Sequence, residues 1–157
     1  MGMSRNSITE FMERYFSVYS TFAQDPKENH RMAEFYSPDM VFSVYLGDIE
    51  ECGPEEFLLR VSSHPRIQET LTPGHMVIDE AQGIVAVLVH STFVVKATGE
   101  LIREMWFSAH YRLNLDEKKT LKMDHLWLFS QYARPGEKTI YEILMEEMMK
   151  LSEDKNA

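Results

Sequence analysis

Few side chains in this sequence have the chemistry to move a proton, and His125 is the foremost of them. An imidazole takes up or releases a proton near neutral pH. Tyr15 is a phenol able to polarise an oxygen set opposite such a ring. The two are the candidate catalytic pair. A structural reading of His125, as a ring hydrogen-bonded to neighbouring backbone or tyrosine, stands beside that one. Ser91 and Arg103 supply further polar points. Cys52 is the single cysteine, so it has no internal disulfide partner, and a lone cysteine is more often a small buried residue than a nucleophile. The six histidines are scattered, with no His-x-x-x-His and no paired acid at ligand spacing, so no metal site is expected. There is no Gly-rich phosphate loop and no Gly-x-Ser-x-Gly elbow, and no cofactor is implied.

The elements that must hold these residues belong to one domain. At 157 residues, 44% of them hydrophobic, the chain can bury a sizeable core and is not of disordered composition. A net charge of −9 without a basic cluster argues against nucleic acid and against anionic membrane surfaces as partners. No stretch approaches the roughly 18 apolar residues of a membrane span. Met1-Gly2-Met3-Ser4-Arg5-Asn6 lacks the apolar run of a signal peptide, and its Asn6 stands where a myristoylation signal has Ser or Thr. A soluble, cytoplasmic protein is expected.

Hydrophobic spacing outlines the elements. Ile8, Phe11, Met12, Tyr15, Val18, Tyr19 and Phe22 recur at three- and four-residue intervals, an amphipathic helix over 7–23 with Ser7 placed to cap it. A short helix over 27–36 and a strand over 40–46 follow. A third helix opens at Gly53-Pro54-Glu55-Glu56, with Pro in its first turn and acids at its positive end, and stops before Pro65. From Gly74 the texture changes. Segments 75–80, 84–96, 101–115 and 120–132 are strand-like and joined by short turns, which makes a meander of long, bent strands. After Pro135-Gly136 comes a last helix rich in Met and acid. Helices first and hairpins afterwards predict an α+β fold, a strongly curved antiparallel sheet wrapped as a cone around the N-terminal helices, plus a C-terminal helix.

That order of elements resembles the nuclear transport factor 2-like superfamily, with its ketosteroid isomerases and SnoaL-like polyketide cyclases. Met12-Glu13-Arg14-Tyr15 is similar to the first-helix stretch that carries the isomerases' oxyanion-stabilising tyrosine, and Tyr36-Ser37-Pro38-Asp39 to the turn into their first strand. Counted onward, their general base falls on Val44, and their neutral aspartic acid falls on Ala109 when Tyr111-Arg112-Leu113 is aligned. Neither carries a carboxyl group, so steroid isomerase activity is rejected. Leu121-Lys122-Met123-Asp124-His125-Leu126-Trp127 resembles the closing strand of the cyclases, without the acid they use further along it. The resemblance implies a domain over 7–132, with the helix over 136–152 packed on it.

If Trp127 faces the interior, strand alternation brings Met123, His125 and Phe129 with it. The resemblance points Ala109 inward, and Met105, Phe107 and Tyr111 follow. Val89, Ser91 and Phe93 line the neighbouring strand, while Tyr15 and Tyr19 descend from the first helix. The expected product is an apolar pocket for a small hydrophobic or aromatic molecule, with Tyr19, Val44, Ser91, Phe93, Met105, Phe107, Ala109, Met123, Trp127 and Phe129 as its lining. Two alternatives are a lyase, cyclase or isomerase using His125 and Tyr15, and an accessory domain that binds another protein. Ile102, Trp106 and His110 alternate onto the outer face, which is expected to form a homodimer.

Overall fold

The computed structural model describes residues 3–46, 48–63, 65–130 and 135–156; Gln131 and Tyr132, the last residues expected in the closing strand, lie outside these. Helix α1 is Arg5–Phe22. Its cap is Ser4 rather than Ser7: the Ser4 hydroxyl accepts from the Ser7 N–H at 3.2 Å, and the Ser7 hydroxyl accepts from the Ser4 N–H at 3.0 Å. The serine pair thus closes a reciprocal capping box one turn earlier than the expected start. The buried stripe is Ile8, Phe11, Met12, Tyr15, Phe16 and Tyr19.

The expected second helix contracts to a 3-10 turn, Asn29–Glu34. The chain then extends early, because the Met123 N–H bonds the Phe35 carbonyl and ties this segment to the sheet. Strand β1, Tyr36–Leu46, turns back as β2, Asp48–Cys52. Helix α2, Pro54–Val61, carries Pro at its start and Glu55 and Glu56 in its first turn, as its sequence requires. Strands β3 (Ile67–Asp79), β4 (Ile84–Val95), β5 (Leu101–Leu115) and β6 (Leu121–Ser130) follow, then helix α3 (Ile140–Asn156).

The six strands form one sheet in the order β2-β1-β6-β5-β4-β3. Neighbouring strands pair antiparallel, as expected, except β1 and β6, which pair parallel. The reason is topological: β1 and β6 are joined by everything between them, so no hairpin dictates their direction. Register shifts interrupt four of the five pairings, and each extra residue bends and twists its strand. One shift spans Pro73 to Met76 in β3. Proline has no N–H for the ladder, and a Cβ on Gly74 would lie 3.1 Å from the Leu88 carbonyl oxygen, so Pro73-Gly74 sits inside the strand rather than before it.

The concave face closes over α1. Tyr15 is central, its ring 5.4 Å from Phe16, 5.5 Å from Phe35 and 5.7 Å from Tyr111, each in edge contact. Such pairs add about 0.5–1.5 kcal/mol each beyond the area they bury. The concave face is filled at these side chains: Tyr15 and Tyr111 are 1% exposed, and Val89, Ser91, Ala109 and Met123 are 0% exposed. Among the described residues, no helix is long and apolar enough to cross a membrane.

Candidate functional site

Inner-facing positions follow directly from pairing and burial. On β4 they are Val85, Val87, Val89, Ser91 and Phe93, all buried. Across β5 their partners are Tyr111, Ala109, Phe107, Met105 and Arg103. Tyr19 joins them from α1, and Val44 faces the same side through its pairing with Leu128, itself opposite Ala109. The concave face therefore gathers Tyr15, Tyr19, Val44, Ser91, Phe93, Met105, Phe107, Ala109 and Met123.

His125, Trp127 and Phe129 lie elsewhere. Leu113 pairs with Met123, but Arg112 pairs with His125, so Asp124 is an extra residue in β6. That bulge reverses the alternation. Met123, Leu126 and Leu128 point inward, and His125, Trp127 and Phe129 point outward beside Arg112, His110 and Ser108. The expected meeting of His125 with Tyr15 does not occur, because the sheet separates them. The His125 Nε2 instead lies 2.8 Å from the Ser43 hydroxyl, which also donates to Glu51 at 3.2 Å. Its ring stacks on Trp127 at 3.9 Å. Burial, then the neighbouring Arg112 cation, hold its pKa below the ordinary histidine value of 6.5.

The inner face carries an acid that the sequence reading did not single out. Glu69 of β3 pairs with Phe93 and shares its face. Its Oε2 accepts from the Tyr19 hydroxyl at 3.0 Å and its Oε1 from the Ser91 hydroxyl at 3.1 Å. Gln24 brackets the Glu69 backbone, its Oε1 accepting from the N–H at 2.8 Å and its Nε2 donating to the carbonyl at 3.3 Å. Ser20 binds the Leu71 N–H at 3.0 Å, so the last turns of α1 are strapped along β3. Glu69 keeps part of its surface accessible, yet burial of its carboxyl pushes the pKa above the ordinary 4.5, against the opposing pull of its three side-chain donors. Tyr15, Tyr19, Tyr36 and Tyr111 are all raised, chiefly by burial, and remain neutral phenols.

Glu69 escaped notice because Pro73-Gly74 reads as a break before the strand. One signal was present: Ile67, Glu69 and Leu71 share one parity, with Gln68 and Thr70 between them. Cys52 is half-buried, and burial raises its thiol pKa, which keeps it protonated. Among the described residues, no group of three His, Cys, Asp or Glu side chains is placed to hold a metal ion.

This chain has the nuclear transport factor 2-like fold, a six-stranded curled sheet closed by N-terminal helices. No family model matches the sequence, and no curated protein matches it. Solved structures do. A nuclear transport factor 2-like protein from Cytophaga hutchinsonii superposes with a TM-score of 0.61 at 14% identity, over 82% of this chain and 98% of that one. A putative polyketide cyclase from Xanthomonas campestris gives 0.60 at 12% identity, over 91% and 98%. SalBIII, an epoxide hydrolase/cyclase-like enzyme of pyran ring formation in the polyether salinomycin, gives 0.55 at 15% identity, over 82% and 94%.

Proposed function

We propose that this protein binds a small, largely apolar molecule at the wide end of the concave face, with Glu69, Tyr19 and Ser91 as its polar contacts. The observation that carries this reading is Glu69 itself: a desolvated carboxyl, raised in pKa and held on both oxygens, on a face otherwise lined by Phe93, Met105 and Phe107. An oriented acid in that setting fixes the polar end of a ligand whose body lies on aromatic and thioether surface.

The same observation favours a second reading as an enzyme, a cofactor-independent lyase, cyclase or isomerase. A carboxyl poised closer to neutrality takes and returns a proton more effectively, and Tyr19 is a phenol beside it. Here Glu69 and Tyr19 replace His125 and Tyr15 in the acid–base role. Two of the superposed structures, the putative polyketide cyclase and the epoxide hydrolase/cyclase-like enzyme, support this class without specifying a reaction.

A homodimer through the convex face completes the proposal. Val77, Leu88, Trp106 and Phe129 are exposed there at 55%, 45%, 46% and 42%, and the half-buried Ile102 and His110 lie on β5 among them. An apolar surface of that extent suits a second copy of the chain. A cytoplasmic location is proposed on the single thiol alone.

Thermal denaturation with 2-naphthol tests binding. Stabilisation of the wild type that weakens in Tyr19→Phe and Glu69→Gln, but persists in His125→Ala, is expected; no stabilisation by 2-naphthol or similar ring compounds counts against the pocket. Catalysis is tested by deuterium exchange at the acidic carbon of 2-tetralone. Acceleration by the wild type, falling about 10²–10⁴-fold in Glu69→Gln, is expected of a general base.

A further inference from the structure

On the convex side β5 presents Glu104, Trp106, Ser108, His110 and Arg112 in unbroken alternation, because its register with β4 runs without a shift from Arg103 to Arg112. The sign of charge changes along that row. Glu104 stands four residues before Ser108 and Arg112 four residues after it, so the two charges are about 27 Å apart at the rise of an antiparallel strand. Ser108 has Leu88 beside it on β4 and Phe129 on β6. A small hydroxyl thus sits midway between two opposite charges and between two exposed apolar side chains.

Both charges keep bonding capacity in reserve. The Glu104 Oε1 lies 2.6 Å from the His90 Nε2, while its Oε2 has no hydrogen-bond partner among the described residues, and the side chain is 55% exposed. Arg112 donates to Asp124 through its Nε alone, at 2.5 Å, with its guanidinium over the Trp127 ring. That side chain is 44% exposed, and its terminal nitrogens remain free to donate to a second carboxylate. A chain with a net charge of −9 repels its own copy, so a second copy has to approach where charges of both signs can be matched.

One symmetry operation matches them. A two-fold axis lying between the sheets, over Ser108 and at right angles to β5, sets the two β5 strands antiparallel. Glu104 then faces the partner's Arg112, Arg112 faces the partner's Glu104, and Trp106 faces the partner's His110. The row of Leu88, Ser108 and Phe129 lies along the axis against its own copy. An axis running along β5 instead sets Glu104 on Glu104 and Arg112 on Arg112, two like-charge contacts that disfavour it. We infer that a second copy of the chain seats on the convex face with β5 antiparallel on β5 about Ser108, held in register by two Glu104–Arg112 pairs. This inference rests on the proposed homodimer and fixes its register. Facing sheets lie about 10 Å apart, a gap that the long side chains of Glu and Arg span together. Exposed ion pairs add little affinity each; here they choose one arrangement over another, while the apolar row supplies the contact area.

Sedimentation equilibrium of the full chain tests the register. The wild type is expected to be a dimer. Glu104→Lys and Arg112→Glu are each expected to weaken self-association about tenfold or more, since each places like charges at both contacts. An equimolar mixture of the two variants is expected to return to within about threefold of the wild type, because both contacts then join opposite charges. A mixture that associates no more tightly than its components, or single variants as tight as the wild type, overturns the register and leaves the homodimer standing. A wild type that stays monomeric overturns the inference together with the homodimer and leaves the face to a partner of another sequence. Should Arg112→Glu fold poorly beside Asp124, the accessible Glu104→Lys decides alone. Added salt is expected to close the gap between it and the wild type, by screening attraction in one and repulsion in the other; no gap, or one that salt leaves unchanged, contradicts the pairing.

Discussion

The two faces of the sheet each hold a carboxylate, a serine hydroxyl and aromatic rings, and they differ in what surrounds them. On the concave side Glu69 meets Ser91 and Tyr19 among buried phenols. On the convex side Glu51 meets Ser43 and His125, under a stack of His125 on Trp127 and beside one of Tyr45 on Phe129. The convex cluster lies on the outer face of the sheet, and its ionisable ring is held below the ordinary histidine pKa. The concave cluster is enclosed by its own fold, so its acid is desolvated without any partner. The same residue types give a cluster on the outer face on one side and an enclosed acid among phenols on the other, and burial makes the difference.

The comparison is broken most severely from the inside. Tyr111→Ala removes the ring that contacts Tyr15 and Phe16 and is expected to cost about 3–5 kcal/mol in urea unfolding. The matching convex change, His125→Ala, is expected to cost about 1 kcal/mol or less, because the ring it removes is half-exposed. Equal losses would mean that the two faces are packed alike.

Association separates the faces next. Trp106→Glu is expected to halve the mass seen by light scattering while the chain stays folded, and Glu69→Gln is expected to leave that mass unchanged. A wild type that is already monomeric removes the convex interface from the account.

A smaller effect sharpens the contrast in electrostatics. The folded pKa of Glu69 is above the ordinary 4.5, so over that window the folded chain binds more protons than the unfolded one. Its contribution to stability is complete below the unfolded pKa and is lost as pH rises through the folded one. Glu69→Gln is expected to flatten this fall. His125 runs the opposite way: its folded pKa is depressed, so its contribution is present above about 6.5 and is lost as pH falls through the folded value. Smallest of all is Tyr36→Phe, which deletes a 3.4 Å bond to Tyr15 and is expected to cost about 1 kcal/mol or less.

Much of the concave face was readable by alternation once the resemblance had pointed Ala109 inward. Ser91, Phe93, Met105, Phe107 and Ala109 lie where period-two counting puts them, because β4 and β5 run without a bulge from Phe93 back to Ile84. Counting failed one strand on. Asp124 adds a residue to β6, and nothing in Met123-Asp124-His125 announces it, since a bulge is selected by the neighbouring strand and by the Arg112 and Asn114 side chains that hold Asp124. The parallel pairing of β1 with β6 was equally hidden, being a long-range property of the closed sheet. Glu69 was obscured differently, by reading Pro73-Gly74 as a boundary when the strand absorbs it as a bulge.

The most direct test of where the chemistry lies is amide chemical-shift mapping with 2-naphthol. Shifts concentrated at Glu69, Ser91, Phe93 and Met105, with Ser43, His125 and Trp127 unmoved, are the predicted result. Shifts concentrated at Ser43, His125 and Trp127 would contradict it and move the binding site to the convex face.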